Sequence, residues 1–187
     1  MKLLYTLGNF TQSGQQLLFY TINKENKNTE SYQILAENTF APSFAPKNGL
    51  FNPPEGVDDV ELPNISDVIW THTSGNQYIA SGIWRETPDG PIDFNALRLI
   101  CKSVANKAKE LSQRYVSLPL ITEDLSLWNF TYPIIEEAFG DHLQGVVHIP
   151  EEQTLISVLE SIGGEINAFQ EDRPIIRFAQ NNPNSDK

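Results

Sequence analysis

Two adjacent carboxylates, Glu123 and Asp124, lie in the polar run Thr122-Glu123-Asp124-Leu125-Ser126, between an apolar stretch ending at Ile121 and a helical pattern after Trp128. A loop of this kind, entering a helix, presents backbone N–H groups where an anion can bind. Phosphate-cradling loops normally carry Gly so that the backbone can approach closely. This one has none, and its two carboxylates repel a diphosphate unless they turn away or hold a metal. An acid/base pair is the sharper reading of Glu123 and Asp124, and capping of a helix N-terminus the plainer one.

Three further groups stand where β-type segments end, which is where open α/β sheets bind ligands. They are Gly8-Asn9-Phe10-Thr11, Asn23 and Trp84-Arg85-Glu86. The Asn23 amide suits orientation of a sugar hydroxyl or a water, or satisfaction of backbone groups at a strand end. Trp84 offers a ring for stacking, or a core anchor. His72 and His148 fall in strands and His142 in a loop, with no metal-ligand spacing among them. Cys101 lies on an apolar helix face and reads as core rather than nucleophile. No cofactor is called for.

These positions need a scaffold, and the hydrophobic pattern supplies one. Lys2 to Leu7 and Gln16 to Ile22 read as strands. Asp67 to Thr73 and Gln77 to Trp84 form a hairpin around Ser74-Gly75-Asn76. Phe94, Leu97, Ile100, Cys101, Val104, Ala105, Ala108 and Leu111 recur at helical spacing behind Asp93, a good N-cap. Then follow a strand (Val116 to Ile121), a helix (roughly Phe130 to Phe139), a strand (Gly145 to Ile149), and a helix from Pro150 to about Ile162. This alternation predicts a largely parallel sheet with crossover helices. A short helix around Gln33 to Asn38, a strand from Pro174 to Phe178 and a disordered tail from residue 181 complete the expectation.

The chain has 187 residues, one cysteine, and 24 acidic against 13 basic residues, a net charge of −11. One cysteine excludes an internal disulfide and a thiolate zinc site. The acidity, with no basic-aromatic interleaving, argues against direct nucleic-acid binding. Neither a signal peptide nor a membrane-spanning run is evident at Met1 to Thr6 or beyond, so a cytoplasmic location is expected. Acidic stretches at Glu55 to Glu61, Glu136 to Asp141 and Glu151-Glu152 offer a surface for a basic protein partner.

Taken together, Gly8-Asn9-Phe10-Thr11 after the first strand, Leu18 to Asn23, Ile79 to Leu97, and Leu118-Pro119-Leu120-Ile121 followed by Trp128 and Ile134 to Phe139 resemble a macro domain. The likeness is to its short ADP-ribosyl-glutamate hydrolase and ADP-ribose-phosphate phosphatase branch, over residues 2 to 149. It implies a macro-like α/β/α three-layer sandwich with a mixed, largely parallel sheet spanning residues 1–150; a helical extension over 151–180, expected to pack on it, and the tail lie outside the likeness. It also implies an ADP-ribose-like nucleotide ligand held by Asn9, Phe10, Thr11, Asn23, Trp84, Arg85 and the Thr122, Glu123, Asp124, Leu125, Ser126 loop. The chain departs from the family at several points. Asn9 replaces an Asp, Asn38 to Pro46 lacks the family's glycines, Thr122 and Asp124 replace two more, and Arg85-Glu86 stands near the position of a catalytic Lys. A non-catalytic binding module is therefore the first reading. A hydrolase of ADP-ribose derivatives, with Glu123 or Asp124 activating water, and an acidic interaction module that has lost its ligand are the alternatives.

Overall fold

The computed structural model describes residues 2–24, 64–72, 76–87, 89–122, 124–163 and 177–178. The expected helix at 33–38, the turn at Ser74-Gly75, the Asn38 to Pro46 and Glu55 to Glu61 segments, Glu123 and the tail lie outside them.

Strand β1 (Leu4–Leu7) ends at Gly8, whose φ of +138° turns the chain into a 3-10 helix (Phe10–Gln12), a conformation that a Cβ disfavours. Strand β2 (Leu17–Asn23) follows, then β3 (Val68–His72) and β4 (Tyr78–Arg85). Helix α1 (Phe94–Glu110) begins where the Asp93 carboxylate accepts the Ala96 N–H at 2.9 Å. After it come β5 (Tyr115–Pro119), α2 (Leu125–Phe139), β6 (Gln144–Ile149), α3 (Glu152–Ser161) and β7 (Arg177–Phe178).

The seven strands form one sheet in the order β3-β4-β2-β5-β6-β1-β7. β4, β2, β5, β6 and β1 are mutually parallel; β3 and β7 run antiparallel on the two edges. This is the mixed, largely parallel α/β sandwich that the alternation predicts.

The main core joins Leu3, Tyr5, Phe19, Leu118 and Val147 of one sheet face to the apolar sides of all three helices. Leu155, Val158 and Leu159 of α3 belong to this same core, so that helix completes the layer. On the opposite face Leu18, Tyr20 and Ile22 of β2 and Ile79 and Ile83 of β4 make a second, smaller core with Phe10.

Helix α2 begins at Leu125, five residues before the expected start. Asp124 is its N-cap, its Oδ1 accepting the Leu127 N–H at 3.1 Å, and Pro133 is carried inside the helix. The expected start near Phe130 leaves out the first turn, which Thr131 Oγ1 ties to the rest by donating to Leu127 O at 2.7 Å. Glu136 is also misplaced by the sequence. It is not part of an acidic surface but 8% exposed, accepting the Leu3 N–H at 3.3 Å and pairing with Lys2 Nζ at 3.4 Å. It ties α2 to the first strand, since a buried carboxylate needs such partners.

Candidate functional site

Because five neighbouring strands run the same way, their carboxyl ends form a row: Arg85, Asn23, Pro119, Ile149 and Leu7-Gly8 in spatial order. At about 4.8 Å per strand, four steps make the row about 19 Å long. At its β1 end a cavity of about 500 Å³ opens between Gly8-Asn9-Phe10, Pro119-Leu120, Leu125, Ile149-Pro150 and the first turns of α3. Apolar side chains from the strand ends face an equal number of polar ones, most of them from the first turns of α3. Among the described residues no Lys or Arg lines it, and Glu151, exposed to solvent, carries the one carboxylate.

Of the sequence-selected residues, Asn9, Phe10 and Leu125 line this cavity. The Asn9 side chain is anchored: Oδ1 accepts the Thr11 N–H at 3.0 Å and the Thr11 hydroxyl at 2.7 Å. Thr11 itself is buried behind that bond, and Phe10 is 3% exposed, its ring tilted against Tyr20 at 6.5 Å. Thr122 and Asp124 hold each other, Thr122 Oγ1 accepting the Asp124 N–H at 3.2 Å. Asp124 and Ser126 are exposed, and both belong to the start of α2 rather than to a loop.

Asn23 and Arg85 are register partners at the carboxyl ends of β2 and β4, at the other end of the row. Asn23 is buried. Arg85 lays its guanidinium 5.6 Å from the Trp84 ring centre, and its Nε is buried without a hydrogen-bond partner among the described residues. Burial lowers the Arg85 pKa, opposed by the charge of Asp89. Trp84 stands corrected as a stacking platform: it is 3% exposed and packs in the main core against the helices. β4 is buried along six consecutive positions, so alternation does not reveal which way its side chains point.

Two contributors were missed. The α3 wall, with Glu151, Gln153, Thr154 and Ser157, follows a strand end just as the other loops do, and Pro150 was the available signal. The second is His148, which lines this cavity and also a second one of about 630 Å³ on the sheet face beside Thr6 and Ser117. Its Nε2 lies 3.1 Å from Ser117 Oγ, and burial lowers its pKa to about 4. The imidazole is therefore neutral at pH 7. Below pH 6.5 an unfolded chain binds a proton here that the folded chain refuses, so stability falls towards pH 4 and levels off beneath it. Part exposure of the ring limits the loss to on the order of 1 kcal/mol. Urea unfolding at pH 7 and pH 5 measures it: the wild type should lose more across that interval than His148→Gln. Equal losses would remove His148 from the account.

No protein-family model matches the sequence, and no curated protein matches it either. Solved structures do. A Bacteroides thetaiotaomicron protein superposes with a TM-score of 0.59 at 18% identity, over 79% of this chain and 99% of that one. A macrodomain protein from Streptomyces coelicolor gives 0.56 at 16% identity, over 77% and 96%. The chain has the macrodomain fold. The Trypanosoma brucei macrodomain, solved in complex with ADP-ribose, shares this fold with a TM-score of 0.51 at 13% identity, over 82% of this chain and 66% of that one. Within the macrodomain fold of this chain, no group of three or more metal-ligating side chains gathers among the described residues. Nor is any described helix long and apolar enough to cross a membrane.

Proposed function

We propose that this chain binds ADP-ribose or a related nucleotide along the carboxyl ends of its parallel strands, without transforming it. The observation that carries this reading is the 500 Å³ cavity at the β1, β5 and β6 ends, lined by apolar and polar side chains in about equal number, on a macrodomain fold. Ligand sites of this size and character sit at such strand ends. The ADP-ribose complex of the structurally similar Trypanosoma brucei protein supports the choice of ligand class.

Asp124, one of the two carboxylates read as a candidate base, supports the non-catalytic part of the reading; Glu123 lies outside the described residues, and Glu151 is the carboxylate on the cavity wall. Asp124 Oδ1 caps α2, and Asp124 does not line the cavity. A general base must reach the water it activates, and a carboxylate spent on a cap is poorly placed to do so.

Calorimetric titration with ADP-ribose and with nucleoside diphosphates is the test, alongside Ser157→Phe. Ser157 lies on the cavity wall outside the core, its hydroxyl donating to Gln153 O at 2.9 Å within α3. A ring there should fill the site and weaken binding roughly tenfold or more, about 1.4 kcal/mol, with an unchanged melting temperature. Absence of saturable binding by every nucleotide at millimolar concentration would overturn the proposal.

A further inference from the structure

We infer that the second cavity, on the sheet face turned away from the three helices, is a separate binding site for an uncharged, polyhydroxylated molecule of mono- or disaccharide size.

The sheet itself points to a ligand there. Strands inside a parallel sheet are ordinarily apolar on both faces, because both are covered. β2 and β4 largely keep to that rule on this face, with Leu18, Ile22, Ile79 and Ile83. β1, β6 and β5 break it. Thr6 stands opposite His148 in the register, and His148 Nε2 lies 3.1 Å from Ser117 Oγ, so a polar row crosses three neighbouring strands. Thr6 and Ser117 are both buried. Yet among the described residues the Thr6 hydroxyl finds only Leu7 O at 3.5 Å, a long contact, and the Ser117 hydroxyl only the imidazole. Buried polar groups cost stability unless they are bonded, and a core rule broken in this way marks a place where a ligand supplies the missing partners.

The wall decides what fits. The cavity holds about 630 Å³, within the range of small-molecule sites. Its described lining residues include no Asp, Glu, Lys or Arg, and burial keeps His148 neutral at pH 7. An ion would enter without a counter-charge. A wholly apolar guest would strip Thr6, Ser117 and His148 of water and return no hydrogen bond. Beside the polar row runs an apolar one, Leu4 against Val146, two residues earlier on the same strands. A sugar ring is divided in the same way, with a C–H face and a rim of hydroxyls. Each hydroxyl both donates and accepts, so it meets either tautomer of His148, whereas the fixed donors and acceptors of a planar base suit only one. Gln12 and Tyr115, on the exposed side of the cavity, add an amide and a phenol with no side-chain hydrogen-bond partner among the described residues.

The test is an amide-resolved NMR titration with ribose, glucose and maltose, and with glucose 6-phosphate as the charged counterpart. Gln12 is exposed and lines this cavity but not the one at the strand ends, and Ser157 the reverse, so Gln12→Trp and Ser157→Phe report on the two separately. At least one neutral sugar should bind saturably, shifting the amides of Thr6, Ser117 and Val146. Ser157→Phe should leave that binding unchanged. Gln12→Trp should weaken it tenfold or more, and Ser117→Ala, the more conservative change, should weaken it too, both at an unchanged melting temperature. Glucose 6-phosphate should bind at least tenfold more weakly than glucose. The inference is overturned by no saturable shift with any neutral sugar, by equal binding of the phosphate ester, or by undiminished binding in both cavity variants. None of these results bears on nucleotide binding at the strand ends.

Discussion

Trp128→Ala should destabilise the protein by about 4 kcal/mol in urea unfolding, with the slope of the transition unchanged. The indole is fully buried, edge-on to Tyr5 at 6.2 Å between ring centres and tilted against Tyr132 at 6.3 Å. Its Nε1 donates to the Tyr5 hydroxyl at 3.2 Å. Burial raises the Tyr5 pKa far above its ordinary value, so that group stays a neutral phenol at any working pH. Truncation leaves a void and also strips the phenol oxygen of its donor. Tyr5→Phe alone should cost about 1 kcal/mol, and the double variant less than the sum, because the two residues share one bond. Since β1 runs directly into Gly8 and Asn9, nucleotide binding should weaken along with stability. A loss below about 2 kcal/mol would mean that the α2–β1 contact collapses without strain.

The second large effect is at Gly82. In a strand, valine ordinarily improves on glycine by up to about 1 kcal/mol. Here the sign reverses. A Cβ on Gly82 would overlap Cγ2 of Ile100, which is fully buried on α1. A β-branched side chain in a helix is confined to one rotamer, so Ile100 cannot swing aside. Gly82→Val should therefore cost about 3 kcal/mol. Ile100→Ala should also be costly alone, yet the double variant should be more stable than the two losses predict. Strict additivity would show that α1 does not approach β4 this closely.

The scaffold was readable where period and punctuation agree. Asp93 followed by the apolar series from Phe94 to Ala108 permits one reading, and it is the helix observed. Strands β1 and β2 were bounded by Gly8, Gly14 and Asn23 in the same way. Local signals misled where a residue serves a distant partner. Glu136 looks like surface charge in sequence, and only Lys2 and Leu3, more than 130 positions away, make it interior. The strand-end rule located Asn9 and Phe10 but not the donor polarity of Asn9, because that depends on which amide atom Thr11 engages. The α3 wall was missed because Pro150-Glu151 explains itself fully as a helix opening, leaving no residue of unusual type to attract notice.

The sheet order separates the two ends of the cleft in time as well as in space. β3 and β4 are near in sequence, His72 lying against Tyr78, and can pair early. β1, emerging first, waits for β6: Leu4 lies against Val146, and the Gln144 side chain donates to Lys2 O across 142 positions. Contacts of such separation are slow to form and come late in folding. The Asn9 end is thus built from the first and last parts of the described chain, with α3 closing over it last. A polypeptide interrupted before Gln144 forfeits β6 and strands β1 with it, leaving the Arg85 end with no opposing wall. A cavity closed around Asn9 accordingly marks a finished molecule.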